Sequence, residues 1–216
     1  MRRFAIITAL ALAVAANAPV SLAVERNSAP PVPAGTYTLD KLHTSLLFRV
    51  SHLGFSSYTG RFTKLDARLE FDPARLASSR VNVTIDPRSI SADNVPESFL
   101  EMLEGKDWLD AGTFPEMSFR SKSVEVTGPD KFRILGDLTL HGVTRPVTLD
   151  ARYNGGYAQH PFEPRARIGF SATGRFKRSD FDITNGIPAP GTQMGVSDEV
   201  EVILESEFSG PALAKN

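Results

Sequence analysis

The sequence predicts an all-β protein folded as a closed or nearly closed antiparallel barrel of about eight strands. Three observations support this fold class. Apolar and polar residues alternate with period two through most of the chain, the intervening segments are short and rich in Gly, Pro, Asp and Asn, and helical spacing occurs only within residues 91–112. Alternation is typical of strands with one apolar face, and short turns join antiparallel neighbours. Closure of such a sheet removes its exposed edges.

The alternation defines each predicted strand in turn. In one segment Phe132, Ile134 and Leu138 share one parity, whereas Lys131 and Arg133 share the other. The predicted strands cover residues 37–40, 44–53, 58–71, 81–85, 117–126, 131–140, 147–154, 165–176 and 199–208.

Two of these strands change phase along their length. Phe62 has the opposite parity to Leu65, and Phe119 has the opposite parity to Val124. A β-bulge adds one residue and restores the parity, and it also lets a sheet bend. We therefore predict bulges in both strands.

Residues 93–110 are the predicted helical insert. Pro96 is suited to the start of a helix, apolar residues follow at helical spacing, and Gly105 is suited to its end. A second short turn carries Trp108, the only tryptophan of the chain. We expect this insert to pack the tryptophan over one end of the sheet.

Residues 1–23 have the features of a secretory signal peptide. A basic start precedes an apolar run, and the small residues Ser21 and Ala23 occupy the −3 and −1 positions of a cleavage site. A competing site after Ala18 would leave Pro19 at the new N-terminus, which peptidases disfavour. We predict cleavage after Ala23 and export of the mature chain.

The remaining chain divides into three predicted parts: a Pro-rich leader over 24–34, one barrel domain over 35–209 and a short tail over 210–216. No later segment approaches the roughly 20 apolar residues that a membrane-spanning helix needs. The predicted mature protein is therefore exported and free of membrane-spanning helices, as a monomer or a homodimer.

Composition excludes several kinds of site. The chain has no cysteine, so it has neither disulfide bonds nor thiolate metal ligands. Without Arg2 and Arg3 it has 22 basic and 25 acidic residues, and no basic patch indicates nucleic-acid binding.

Two of the four histidines, His43 and His52, lie nine residues apart on one predicted strand. They point to opposite faces and lie roughly 30 Å apart, so they do not share a metal ion. No other spacing of metal ligands occurs, and no metal site is predicted. His52 shares parity with Leu46 and Phe48 and should face the interior near a strand end. It is either a structural histidine at the barrel rim or a polar anchor for a ligand.

No catalytic motif stands out. Arg178 and Asp180 are predicted to form an ion pair at the barrel mouth, although such surface pairs are weak. One rival interpretation is a small exported enzyme that uses His52 or His141 as general base, but a base needs a partner that the sequence does not show. A second rival is an outer-membrane barrel, for which one Trp and four Tyr are too few to form two aromatic belts.

Several ordered motifs resemble the YceI-like family between about Gly35 and Ser209. The motifs are Asp40-Lys41-Leu42-His43-Thr44-Ser45, His52-Leu53-Gly54-Phe55, Gly60-Arg61-Phe62, Trp108-Leu109-Asp110, the run from Phe114 to Ser121, the run from Gly136 to Val147, and Arg178-Ser179-Asp180-Phe181. The chain departs from the family pattern at Thr44, which separates a His-Ser pair, and at Asp182, where a glycine often follows the phenylalanine. Asp182 is expected to alter the rim.

The resemblance implies a lipocalin-like, extended eight-stranded antiparallel barrel in the bacterial periplasm. It implies a binding or carrier protein for a long apolar lipid such as a polyisoprenoid, an isoprenoid quinone or a fatty-acid amide. It implies no enzymatic activity, no metal and no cofactor other than such a lipid. We predict a cavity wall from the bulky residues of the apolar faces: Leu46, Phe48, Val50, Leu69, Phe71, Phe119, Leu138, Leu140, Phe170 and Phe176. The predicted rim consists of His52, Trp108, Arg178 and Asp180.

Overall fold

The structure is a computed structural model that describes residues 32–159 and 162–212. The predicted signal peptide, residues 24–31 of the predicted leader and residues 213–216 of the predicted tail lie outside the described residues. Eleven strands and one α-helix occur in this part of the chain. In chain order they are β1 (Gly35–Leu39), β2 (Ser45–His52), β3 (Ser56–Phe62), β4 (Leu65–Phe71), β5 (Arg80–Ile85), β6 (Ile90–Ser91), α1 (Glu97–Glu104), β7 (Met117–Gly128), β8 (Lys131–Leu140), β9 (Val143–Tyr157), β10 (Arg165–Lys177) and β11 (Glu199–Ala212).

Eight of the strands close the barrel. They pair in the order β1-β4-β5-β7-β8-β9-β10-β11, and β11 pairs again with β1. Every pairing in the sheet is antiparallel. The predicted closed antiparallel barrel of eight strands is therefore confirmed.

The other three strands extend the sheet at one end of the barrel. The C-terminal part of β11 pairs with β1, with Ser209 opposite Thr38, whereas its N-terminal part pairs with β2, with Glu201 opposite Arg49. β3 follows β2 in the sheet, and the short β6 pairs with the last residues of β3. β1 and β2 therefore share one edge of β11, and the wall divides between them.

One of the two predicted bulges is wrong. The segment predicted as one strand over 58–71 is two strands, because pairing stops at Thr63 and Lys64. There the Thr63 N–H donates to the Ser89 carbonyl, and the Asp86 N–H donates to the Lys64 carbonyl. In β7 the register does shift between Ser121 and Ser123, as the phase change predicted.

The helical insert forms as predicted. α1 begins after Pro96 and ends before Gly105, and its Leu103 is buried. Trp108 follows in the next turn, and the Arg178 guanidinium carbon lies 5.2 Å from the centroid of its ring.

Aromatic side chains fill the barrel at the end where β1 and β4 pair. We call this set the aromatic core: Tyr37, Phe71, Tyr153, Phe170 and Phe208. Adjacent rings in the aromatic core lie 5.5 to 6.3 Å apart between centroids. The predicted leader contributes to this end, because Val32 is buried there and the Pro33 carbonyl accepts a 2.7 Å hydrogen bond from the Tyr37 hydroxyl. At the other terminus β11 runs to Ala212, three residues past the predicted domain end.

Within the described residues, the only α-helix is α1, and no helix has the length and hydrophobicity needed to cross a membrane.

Candidate ligand-binding cavity

The half of the barrel opposite the aromatic core is hollow. It contains a cavity of about 550 Å³ that is lined by 29 residues. β2 supplies alternate residues to the cavity wall, Leu46, Phe48, Val50 and His52. On the neighbouring strand β11, Leu204 lies opposite Leu46, and further residues of β11 continue the lining. Alternation along each strand thus turns the inward-facing residues of this half of the barrel toward the cavity.

The cavity wall is almost entirely apolar. Of the 29 lining residues, 25 have no nitrogen or oxygen atom in the side chain. The four exceptions are His52, Tyr58, Trp108 and Arg178, and the lining contains no carboxylate. A volume between 300 and 1,000 Å³, an apolar wall and a few polar groups are typical of sites that bind small molecules.

The helical insert forms one side of the cavity. Phe99, Met102 and Leu103 of α1 line it, followed by Trp108 and Leu109 in the next turn. The three residues of α1 are spaced i, i+3 and i+4, so the apolar face of the helix is turned toward the cavity. The insert therefore covers the side where β6 pairs with only two residues of β3.

Seven of the ten residues predicted for the wall line the cavity: Leu46, Phe48, Val50, Phe119, Leu138, Leu140 and Phe176. The other three, Leu69, Phe71 and Phe170, pack at the opposite end, in or against the aromatic core. Their placement in the wall is wrong because parity determines the face of the sheet but not the height along the barrel. Sequence reasoning did not single out Tyr58, although it shares the inward parity of Phe62 in the sequence.

Of the predicted rim residues, His52, Trp108 and Arg178 line the cavity, whereas Asp180 is exposed and does not. The predicted ion pair between Arg178 and Asp180 does not form. The Arg178 side chain turns inward, and the residue is only 4% exposed. The long Arg178 side chain reaches four hydrogen-bond acceptors inside the protein, whereas the short Asp180 side chain stays at the surface.

All four acceptors of Arg178 are backbone carbonyls. Its Nε donates to Ser197, its Nη1 donates to Ile183 and Asn185, and its Nη2 donates to Val196, over 2.7 to 3.1 Å. Burial lowers the pKa of Arg178, and the nearby Asp198 carboxylate opposes this shift. A guanidinium remains charged at physiological pH, so these bonds are charge-assisted. Arg178 thus ties the segment 183–197 across the end of the barrel.

The two histidines at the ends of β2, His43 and His52, have separate surroundings. His43 precedes the strand and His52 ends it, and the His43 Nδ1 lies 2.9 Å from Asp40 Oδ2. The ligand atoms of Asp40, His43 and Glu207 lie within 4.8 Å of one another. The Arg167 guanidinium donates to both carboxylates of this group, so it already supplies the positive charge there.

Arg167 is the centre of a charged cluster that we call the junction cluster, composed of Arg167, Asp40, Glu163 and Glu207. The guanidinium bonds Glu207 at 2.8 Å and Glu163 at 2.9 Å in addition to Asp40. The hydrogen bond from Arg167 holds the pKa of the Asp40 carboxyl well below its usual range. The cluster lies where the chain passes from β1 to β2, which is the point where the wall divides.

Neither histidine considered as a general base is built as one. The His141 Nδ1 lies 3.1 Å from the Phe181 carbonyl, and its ring packs against Phe114, outside the cavity lining. His52 lines the cavity, but among the described residues no carboxylate lies within ion-pair distance of it. The geometry therefore gives no support to the catalytic interpretation.

The backbone conformation at Asp182 explains why this residue can replace the glycine of the family pattern. Its backbone is left-handed, with φ 62° and ψ 17°, directly after Phe181. Glycine adopts this conformation freely, and Asp is among the few other residues that tolerate it. Asp182 is exposed and does not line the cavity, so the expectation that it alters the rim receives no support from its position.

The fold and the cavity define a lipocalin-like antiparallel barrel with an apolar interior cavity. The chain belongs to the YceI-like family, because the family model for the YceI-like domain matches residues 37–208. A UPF0312 protein of Vibrio vulnificus is 37% identical over 171 residues, which cover 78% of this chain and 86% of that protein. A UPF0312 protein of Yersinia pestis is 37% identical over 177 residues, which cover 81% and 86%.

Solved structures share the barrel. The crystal structure of BcnA from Burkholderia cenocepacia has a TM-score of 0.67 at 25% identity and covers 78% of this chain and 98% of its own. The YceI protein of Campylobacter jejuni has a TM-score of 0.63 at 30% identity, with coverage of 74% and 90%. A polyisoprenoid binding domain from Saccharophagus degradans has a TM-score of 0.55 at 16% identity, with coverage of 81% and 98%.

Proposed function

We propose that this protein binds a long apolar lipid inside its barrel, in the class of polyisoprenoids, isoprenoid quinones or fatty-acid amides, and carries or holds that lipid in the periplasm. The observation that carries the proposal is the cavity itself, with about 550 Å³ of space and a wall in which 25 of 29 residues have apolar side chains. Empty apolar space of this size is unfavourable in a protein, and a hydrocarbon ligand restores the missing contacts.

The shape of the cavity favours an elongated ligand. Along β2 the lining runs from Leu46 to His52, which spans roughly 20 Å at the rise of a β-strand. Each methylene group moved from water into such a wall contributes about 0.8 kcal/mol, so ten of them contribute about 8 kcal/mol before the cost of ordering the ligand. An extended chain therefore gains more from this cavity than a compact molecule of similar polarity.

Membership in the YceI-like family is consistent with a binding role. The Saccharophagus degradans domain is described as polyisoprenoid binding, but at 16% identity its likeness supports the common barrel alone. The cavity wall supports a long apolar ligand, and the three lipid classes are those that the resemblance to the YceI-like family implies. The periplasmic location rests on residues 1–23, whose basic start, apolar run and small residues at Ser21 and Ala23 form the pattern of a cleaved export signal.

Native mass spectrometry of the full chain, expressed with residues 1–23 and purified from the periplasmic fraction, tests the proposal. We expect a mature mass that begins at Val24 and a second species that carries a lipid. Addition of a polyprenol to lipid-stripped protein should raise its melting temperature. Protein that remains empty and whose melting temperature does not respond to any of the three lipid classes would overturn the binding function.

A further inference from the structure

Tyr58 lines the cavity and carries a buried hydroxyl group that a purely hydrocarbon ligand does not explain. Tyr58 lies on β3 opposite Val50 of β2, and both residues line the cavity. Its ring packs edge-on against Phe99 of α1, with 5.9 Å between the centroids. The phenol is thus fixed between the sheet and the helical insert.

The hydroxyl oxygen of Tyr58 is buried and has no hydrogen-bond partner in the described part of the chain. Buried polar groups in folded proteins are nearly always paired, and an unpaired one needs an explanation. The charge of Asp93 acts on Tyr58, but its carboxylate is bound by Arg61 and makes no hydrogen bond to Tyr58. Burial and the charge of Asp93 both raise the pKa of Tyr58, so the phenol keeps its proton and is able to donate it.

The other polar groups of the wall indicate which chemistry the cavity accepts. His52, Tyr58, Trp108 and Arg178 all have N–H or O–H donors, and no lining residue is a carboxylate. Arg178 already donates to four backbone carbonyls. A ligand amine or ammonium group would find no anion in this wall, whereas a neutral oxygen acceptor would find a donor at Tyr58.

We propose that Tyr58 determines specificity by donating a hydrogen bond from its hydroxyl to a neutral oxygen acceptor, such as a carbonyl oxygen, on the bound lipid. This inference rests on the proposed function, because it requires a lipid in the cavity. In this arrangement the acceptor oxygen of the lipid lies between β3 and α1, and its hydrocarbon chain runs toward Leu46 and Leu204 at the inner end of the cavity.

A pair of probes that differ in one oxygen tests the proposal. Farnesylacetone is an isoprenoid ketone, and its counterpart with the carbonyl oxygen replaced by a methylene group is a hydrocarbon of the same length. We expect the wild-type protein to bind the ketone more tightly. Tyr58→Phe keeps the ring and removes the hydroxyl, and it should weaken ketone binding by roughly 3- to 10-fold. It should leave hydrocarbon binding unchanged.

Tyr153→Phe is the matched control, because Tyr153 packs in the aromatic core and does not line the cavity. It should leave the affinity of both probes unchanged. Removal of an unpaired buried hydroxyl relieves a cost, so ligand-free Tyr58→Phe should melt at the wild-type temperature or above it. This result would also show that the variant folds.

Three results would overturn the inference: equal affinity of the two probes for the wild type, an unchanged preference for the ketone in Tyr58→Phe, or an equal loss for both probes. The first two indicate that the hydroxyl makes no bond to the ligand, and the third indicates that it only shapes the wall. Failure of both probes to bind the wild type would instead contradict the lipid-binding function itself.

Discussion

The two halves of this barrel use the same strands for opposite purposes. β11 places Phe208 in the aromatic core and Val202 in the cavity wall, and β10 likewise supplies both Phe170 and Phe176. Both halves are rich in Phe, Tyr and Trp, with five such residues in the aromatic core and seven in the cavity lining. They differ in how the rings meet, because the rings of the aromatic core form one continuous set in which adjacent centroids lie at most 6.3 Å apart.

In the hollow half, the rings form separate pairs along the wall. Phe48 pairs with Phe62 at 5.6 Å, and Tyr58 pairs with Phe99 at 5.9 Å. The ring of Phe48 lies over Gly60, where a Cβ atom would come within 2.4 Å of the Phe48 Cζ. A ring that lies against the backbone of a neighbouring strand does not project across the barrel. An apolar inner face of a barrel therefore becomes a solid core or a cavity according to whether its rings converge on the barrel axis.

Removal of a ring should lower the free energy of unfolding more in the aromatic core than in the cavity wall. Phe71→Ala removes a buried ring of the aromatic core and should lower the free energy of unfolding by about 3–5 kcal/mol. Phe48→Ala removes a ring that faces empty space on one side, and in ligand-free protein it should cost about half as much. Urea denaturation of lipid-stripped protein measures both changes. Equal losses would show that the cavity half is packed as tightly as the other.

A smaller loss of stability is expected when Arg178 no longer binds the segment 183–197. Arg178→Met removes the donor to four backbone carbonyls, in one buried and three part-buried hydrogen bonds, and should lower the free energy of unfolding by about 2–4 kcal/mol. Hydrogen exchange should show that the protection lost is concentrated in residues 183–197. Arg145→Met is the control at an exposed arginine of β9 and should be close to neutral. A uniform loss of protection over the aromatic core would contradict this assignment.

Filling the cavity with a larger side chain should weaken lipid binding. Val202→Trp places a large side chain into the cavity and should weaken binding of a polyprenol at least tenfold, which is about 1.4 kcal/mol. Leu135→Trp adds the same bulk on the outer surface of β8, where Leu135 is 39% exposed, and should bind normally. Isothermal titration compares them. Full binding by Val202→Trp would place the ligand outside the cavity.

The smallest expected effect lies between the halves, at the junction cluster. Asp40 has a pKa held below the value of about 3.9 that it has in an unfolded chain. Its contribution is therefore fully present above that pH and is lost as the pH falls toward the folded-state pKa. At pH 7, Asp40→Asn should lower the free energy of unfolding by about 1 kcal/mol.

The difference between wild type and Asp40→Asn should shrink as the pH is lowered from 5 to 2.5, as measured by denaturation at each pH. Asp66→Asn, which removes an exposed ion pair with Lys41, should change stability little at any pH. A difference between wild type and Asp40→Asn that does not depend on pH would show that the carboxylate charge of Asp40 contributes nothing.

Sequence periodicity predicted the barrel, the helical insert and the inward face of most strands. It placed Phe48 and Leu138 correctly on the cavity wall because parity is a local property of a strand. It misplaced Phe71 and Phe170 because height along the barrel depends on the register between strands that are distant in sequence.

The contacts of the site were less accessible to sequence reasoning. The partners of Arg178 are backbone carbonyls, which no side-chain pattern reveals, so the sequence predicts an ion pair with Asp180 at the barrel mouth instead. The break between β3 and β4 also looked like a bulge, because both produce the same shift in parity at Phe62. The unpaired state of the Tyr58 hydroxyl depends on the packing of α1 against β3.

The hydrogen bonds from Arg178 to the segment 183–197 affect which substitutions related sequences can tolerate there. Every residue type carries a carbonyl oxygen, so a guanidinium that binds only carbonyls fixes the path of the chain without constraining its side chains. Substitutions at positions such as Val196, which lines the cavity, can change the chemistry at the cavity end while the backbone stays in place. The backbone position of the segment 183–197 is therefore independent of its side chains. Substitutions in this segment can change the ligand preference without a change in the barrel.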